Sequence, residues 1–441
     1  MKNKLSLAFI LLTAFTIQAQ VKQLSLSEAI TYALENKAES KKASLEVQNS
    51  EYLIQEARAN ALPQINATGS LTYNAILQKT ALNFNGSTQI IEMGRPWQST
   101  AVVSLNQQLF NLAVFTGLKA AKTTREFYQI NKNLSDEQVI EKVASSYYEV
   151  YKTKSQIETV NRTLENTTKV RDVIENLYKT GLAKKIDLDR INVTVNNVKS
   201  TKQQLENALA LRENALKYFV GMDISQSVTV QDNSFEINSE ALLTDVNVSL
   251  ENRTEFALLA KQRELLELNK TATRAQGLPS LALTANYGYL GIGEKFPWFQ
   301  SYPGAYWSDF SSIGLNLNIP IFNGFNIRSK VRQAQNQIDM FDATIEDTKL
   351  ALNLEVRNAV TQINNTLLTL NMQKENVELA KDVLNNIENN YKNGLASLTD
   401  LLDAETSYAD AQNNYTNAQL DYKLAEVQLL KAKGELQSLT K

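Results

Sequence analysis

Tyr178-Lys-Thr-Gly-Leu-Ala-Lys-Lys-Ile-Asp187-Leu188 returns 213 positions later as Tyr391-Lys-Asn-Gly-Leu-Ala-Ser-Leu-Thr-Asp400-Leu401. Each copy breaks a very long helical pattern with a single glycine, which is how a helical hairpin reverses. The correspondence extends outward. Glu35-Asn-Lys-Ala-Glu39 is matched by Glu251-Asn-Arg-Thr-Glu255, Arg58-Ala-Asn-Ala-Leu-Pro63 by Arg274-Ala-Gln-Gly-Leu-Pro279, and Leu105-Asn-Gln-Gln-Leu-Phe-Asn111 by Leu317-Asn-Ile-Pro-Ile-Phe-Asn323. Their order is the same and the offsets stay between 212 and 216, so the 441 residues are read as two copies of one unit.

All six prolines and all three tryptophans fall within 63–97 and 279–320. Proline costs about 3 kcal/mol inside a helix but is tolerated at strand starts and in loops, so these windows separate β segments from helices. There and just beyond, apolar and polar residues alternate. The apolar series are Ile65, Ala67, Gly69, Leu71 and Tyr73; Val103, Leu105 and Leu109; Leu281, Leu283, Ala285, Tyr287 and Tyr289; and Ile313, Leu315, Leu317, Ile319 and Ile321. Strands of about ten residues with one apolar and one small, polar face suit a membrane barrel. A soluble β-sandwich alternates in the same way. The loop at 296–307, rich in Phe, Trp and Tyr, favours the membrane as an interfacial girdle.

Between the windows, Leu118–Tyr178 and Phe325–Tyr391 read as helices of roughly 90 Å or more at ~1.5 Å per residue. Helices so long need partners, and heptads supply the seam: Val356, Ile363, Leu370, Val377, Leu384 and Tyr391, with Val143, Val150, Ile157, Leu164, Arg171 and Tyr178 in the first copy. The return helix of the second copy alternates large and small columns, Leu401, Tyr408, Tyr415, Tyr422 and Leu429 beside Ala404, Ala411, Ala418, Ala425 and Ala432. Alanine columns allow close antiparallel packing. The counterpart in the first copy holds Leu188, Val195, Leu209 and Leu216 with Ile191, Val198 and Leu205.

Lys2 and Lys4, an apolar stretch from Leu5 to Ile17 and Gln18-Ala19-Gln20 read as a secretory signal. The expected organisation is a signal peptide over 1–19, a first repeat over 20–219, a connecting segment over 220–249 and a second repeat over 250–441. Both repeats contribute to one interleaved domain. No later run of about 18 apolar residues offers a transmembrane helix, so any membrane contact falls to strands. The chain has no Cys and no His, which removes disulfides, thiol nucleophiles, Ser-His-Asp triads and the commonest transition-metal ligands. Net charge is −2 with both signs mixed, against a nucleic-acid footprint. Neither an enzyme nor a cofactor is indicated.

Each half is thus read as helix, strand, strand, long helix, glycine turn and return helix. Four strands do not close a membrane barrel, and an open edge in lipid costs several kcal/mol per unpaired group. Two chains would give eight strands and a filled interior; three would give twelve and an open lumen.

With its duplicated element order, its Asn36-Lys-Ala and Asn252-Arg-Thr segments and its two Tyr-x-x-Gly-x-x-x-x-x-Asp-Leu turns, the chain resembles the TolC-like outer-membrane efflux proteins over essentially all of its mature length. The resemblance implies a mainly α protein with a membrane β-barrel part. It implies a homotrimer sharing one twelve-strand barrel in outer-membrane lipid and a long coiled-coil α-helical barrel in the periplasm of a Gram-negative cell. It also implies a periplasmic adaptor and an inner-membrane pump of the RND or ABC type. Where family members often carry proline after the Asn-Arg step, this chain has Ala38 and Thr254. A secreted, elongated coiled-coil scaffold or adhesin without a pore remains the alternative.

The resemblance places Gly181, Leu182, Ala183 and Gly394, Leu395, Ala396 at adaptor-docking tips. It places Asp400 and Asp403 in an acidic ring at the narrow entrance. Ser397-x-x-Asp400 also reads as a capping box, so Asp400 suits both roles. In the family a tyrosine and an arginine of the second tip latch an aspartate of the first. Tyr391 and Asp187 match two of those positions, with Tyr178 the repeat counterpart of Tyr391. The arginine's place is taken by Ala396, which leaves Arg190, Lys184 or Lys185 as substitutes.

Overall fold

The computed structural model describes residues 22–84, 86–231, 250–296 and 303–440. The expected signal peptide, most of the connecting segment and part of the aromatic loop lie outside the described residues. In chain order the elements are β1 (Lys22–Leu24), α1 (Leu26–Asn36), α2 (Ala38–Ala59), β2 (Gln64–Tyr73), β3 (Gln78–Phe84), β4 (Ser87–Met93), β5 (Trp97–Phe110), α3 (Leu112–Lys179), α4 (Lys185–Val220) and β6 (Val228–Val230). After a short 3-10 turn follow α5 (Thr254–Ala275), β7 (Ser280–Gly293), β8 (Ala305–Asn318), α6 (Asn326–Lys392) and α7 (Leu398–Lys433). Two compact units emerge, one drawn from 1–45, 130–258 and 346–441, the other from 46–129 and 259–345.

The second unit holds an antiparallel sheet ordered β2-β5-β7-β8, the four expected strands. Its register sorts the two faces. Ile65, Leu105, Ala285 and Ile313 form one row across the sheet; the next row is Asn66, Ser104, Asn286 and Ser312. In that polar row Ser312 donates to Asn286 Oδ1 at 3.0 Å. The apolar row is largely in the open: Ile65 and Ile313 are exposed, as are Leu71, Leu315 and Leu317.

Two local readings are corrected. Ile319 and Ile321 do not extend β8, which stops at Asn318; Pro320 brings no N–H to a ladder, and Ile321 is 94% exposed. Leu109 does not continue the alternation, because β5 is bulged between Gln108 and Phe110 and one residue falls out of pairing. Two further two-stranded sheets, separate from this one, were not expected. A hairpin pairs β3 with β4, and β1 pairs in parallel with β6. Asn85-Gly86 between β3 and β4 is the sequence signal for such a hairpin, and Gly86 has φ +85°.

The first unit is built on α3, α4, α6 and α7. The alanine column of α7 is buried throughout, with Ala418, Ala425 and Ala432 packed with Val356, Ile363 and Leu370 of α6. On α3 the expected column is buried at Val143 and Val150, but Arg171 and Tyr178 leave the core. Burial passes instead to Thr153, Val160, Thr167 and Ile174, also seven apart. Thr153 and Thr167 fit there because each hydroxyl bonds to the carbonyl four residues back.

The paired Asn-basic segments have a structural role. Lys37 Nζ donates to the carbonyl of Tyr218 at 2.8 Å and lies 3.6 Å from that ring's centre; Arg253 Nη1 donates to the carbonyl of Ala432 at 3.1 Å. Each cation closes the last turn of a return helix, α4 or α7, where it complements the helix dipole. Each helix then ends on a left-handed glycine, Gly221 or Gly434.

Candidate functional site

The two hairpin tips close by the same geometry. Beyond α3, Gly181 has φ +80° and Leu182 N donates to Leu177 O at 2.8 Å. Beyond α6, Gly394 has φ +75° and Leu395 N donates to Asn390 O at 2.8 Å. These are Schellman closures, in which the residue after the glycine usually folds its apolar side chain back on the helix. Leu182 and Leu395 do not: they are 78% and 79% exposed. Ala183 and Ala396 are half-buried.

Just inside the tips all four long helices meet. Ile174 of α3, Ile191 of α4 and Leu398 and Leu402 of α7 form one cluster; Leu384 of α6 with Leu401 and Ala404 of α7 forms another. Val170 and Tyr391 pack against both. The first hairpin is thereby held against the second. Burial raises the Tyr391 hydroxyl above the usual tyrosine range, with the Asp187 charge adding to the effect. Among the described residues no hydrogen bond joins Tyr391 to Asp187. Tyr178 is exposed and does not enter the cluster.

A polar link across the hairpins close to the tips comes from Arg190. Its Nη1 donates to Thr399 Oγ1 at 2.5 Å, from α4 to α7. Lys184 stands at the N-terminus of α4 without a side-chain cap, and neither it nor Lys185 bonds to the second hairpin among the described residues.

Asp400 is the reciprocal half of a capping box. Ser397 N and Ser397 Oγ donate to its Oδ2 at 2.8 and 2.7 Å, and Asp400 N donates to Ser397 Oγ at 3.2 Å. The Ser397 hydroxyl and then the Ser397 amide hold this carboxyl below the usual carboxylate range. Asp403, one turn on, is exposed. The three-residue spacing keeps both carboxylates on one side of α7.

Sequence reading missed Thr399, Thr167 and Glu405. Glu405 is 7% exposed and meets Thr167 Oγ1 across the hairpins. Its signal was a carboxylate next to Ala404, beside a column otherwise made for close packing.

Paired coiled-coil hairpins with joined tips, in a chain that also carries a four-stranded sheet with an exposed apolar face, define the class of outer-membrane efflux channels. The chain belongs to the outer membrane efflux protein family, which matches residues 29–222 and 246–435. It is similar to the outer membrane protein TolC of Salmonella enteritidis, 23% identical over 80% of this chain and 70% of that protein. The cation efflux system protein CusC of Escherichia coli K12 is 24% identical over 89% of this chain and 81% of its own length. Among solved structures, the outer membrane protein VceC of Vibrio cholerae superposes with a TM-score of 0.73 at 19% identity, over 93% of this chain and 96% of that one. The fold is TolC-like, and the protein is one of the outer membrane of Gram-negative cells.

Proposed function

We propose that three copies of the chain form a passive, gated conduit from periplasm to exterior, driven by an inner-membrane pump through a periplasmic adaptor. The observation that carries this reading is the sheet. β2 and β8 each pair on one side only among the described residues, while the apolar row lies exposed. Open edges in lipid are costly, and three four-stranded sheets make a twelve-stranded barrel with a lumen. The repeated order of helix, strands and hairpin in the two halves makes one interleaved domain. The four-helix cluster holds the entrance closed, with Asp400 and Asp403 of three chains forming a ring of six carboxylates that favours cations. Docking of the adaptor on Leu182, Leu395 and their neighbours shifts a two-state equilibrium toward the open form.

The test is conductance of the detergent-extracted protein in a planar bilayer. A low, cation-preferring conductance is expected. Asp400→Asn combined with Asp403→Asn removes the cation preference; if selectivity is unchanged, the ring assignment fails. A protein that leaves the membrane in a high-salt wash and gives no conductance is instead the coiled-coil scaffold.

A further inference from the structure

We propose that Glu405 is a proton-sensitive clasp between the two hairpins, closing the seam when protonated and loosening it when charged. The inference rests on the gated conduit described above and adds a control to its gate.

The geometry at the seam sets the protonation state. Thr167 Oγ1 lies 2.7 Å from the carbonyl of Thr163 and 3.3 Å from Glu405 Oε2. A hydroxyl has a single proton. The shorter bond, inside α3, holds most of it, so a charged Glu405 accepts across the seam only the weaker share of one hydroxyl. Both residues are buried, Thr167 at 1% and Glu405 at 7%, in a single chain. Neighbouring chains can only cover them further.

Among the described residues no cation pairs with this carboxylate. α6 presents Glu388, a like charge, which sits 3.8 Å from Lys392. On α3 the charged residues of the adjoining turns pair among themselves, Glu165 with Lys169 and Arg171 with Asp172. α4 presents Arg190, bonded to Thr399, and Asp187, beside Tyr391. On α7 itself Asp403 is exposed and Tyr408 half-buried. Burial, partly countered by the Thr167 bond and reinforced by Glu388, pushes the Glu405 carboxyl up to about 7.

The sign follows from linkage. With the hairpins apart the carboxyl is in water at its ordinary value of 4.5, so closing takes up a proton between that value and about 7. Closure is favoured below this window and loses that support as pH rises through it. Between pH 5.5 and 8.5 the ratio of closed to open hairpins is expected to fall about thirty-fold per chain.

The chain has no cysteine, so nitroxide labels attach only where cysteine is introduced. Labels at Thr180→Cys and Asn393→Cys, on the exposed tips, report the separation of the hairpins in the intact oligomer by pulsed dipolar spectroscopy. The distances are expected to lengthen from pH 5.5 to 8.5, and in Glu405→Gln, which stays neutral, to keep the short population at both. An unchanged distribution in the unsubstituted background, or the same lengthening in Glu405→Gln, overturns the clasp. Bilayer conductance is read in parallel. Label movement without conductance at any pH supports the clasp while sinking the conduit; conductance without label movement sinks the clasp alone.

Discussion

Arg253 donates through Nη1 to the carbonyl of Ala432 while Nη2 reaches Glu255 and Glu355, both at 2.9 Å. One side chain, 1% exposed, thus ties the start of α5 to the end of α7 and to the middle of α6. Its removal leaves Glu255 without its ion pair and Glu355 with only Lys431, at 3.8 Å. Arg253→Ala is expected to cost about 3 kcal/mol, read as a fall in thermal midpoint by circular dichroism. Arg253→Lys recovers only part, because an ammonium does not supply the planar fork that serves three acceptors.

Two glycines with nearly equal φ make opposite demands on space. At Gly181 an added Cβ meets nothing within 4 Å, so Gly181→Ala pays only for the left-handed backbone, about 1 kcal/mol. At Gly221 the same Cβ comes to 3.1 Å from the N and Cα of Lys37, backbone atoms that do not swing aside. Gly221→Ala is therefore expected to destabilise by clearly more than Gly181→Ala, measured by denaturant unfolding of both variants. Equal costs would mean that the α1–α2 junction yields freely.

Much of the fold is written in periodicities that burial then follows. The proline-confined strand windows gave all four strands of the main sheet, and the alanine column of α7 is buried at every position. What was not legible depends on pairing between distant segments. The Arg171 and Tyr178 steps look like a seam when α3 is read alone, but the neighbouring helices take up Thr167 and Ile174 instead. β1 and β6, three residues each, are too short to show a period and exist only because they meet. At the site, repeat matching found the tips, the Ser397-x-x-Asp400 motif gave the capping aspartate, and the family resemblance named Arg190 among three candidates. Thr399 and Glu405 stand out only through partners on the other hairpin, which no local pattern encodes.

Arg190 and Thr399 form a hydrogen bond between the two tips, from α4 to α7. If their bond helps hold the entrance closed, Arg190→Ala and Thr399→Val each raise the open probability in planar bilayers, and the double variant adds little to either alone. The bond has a neutral acceptor and an exposed setting, so each change is expected to be several-fold, matching about 1 kcal/mol. Additive effects would show that the two side chains act on gating independently.

Leu182 and Leu395 occupy the position where a Schellman turn usually buries an apolar side chain, yet both face solvent at the end of their hairpins. Replacing either removes no packing from the four-helix cluster below, whose apolar members are Ile174, Ile191, Leu398 and Leu402. Leu182→Asp with Leu395→Asp is therefore expected to leave the stability, read from thermal unfolding, within about 0.5 kcal/mol of the parent and the bilayer conductance unchanged. In cells the same variant is expected to lose export, because an apolar contact with the adaptor becomes a pair of charges that must be desolvated. Full export by the double aspartate variant would move the docking surface away from these leucines, toward the flanks of the hairpins.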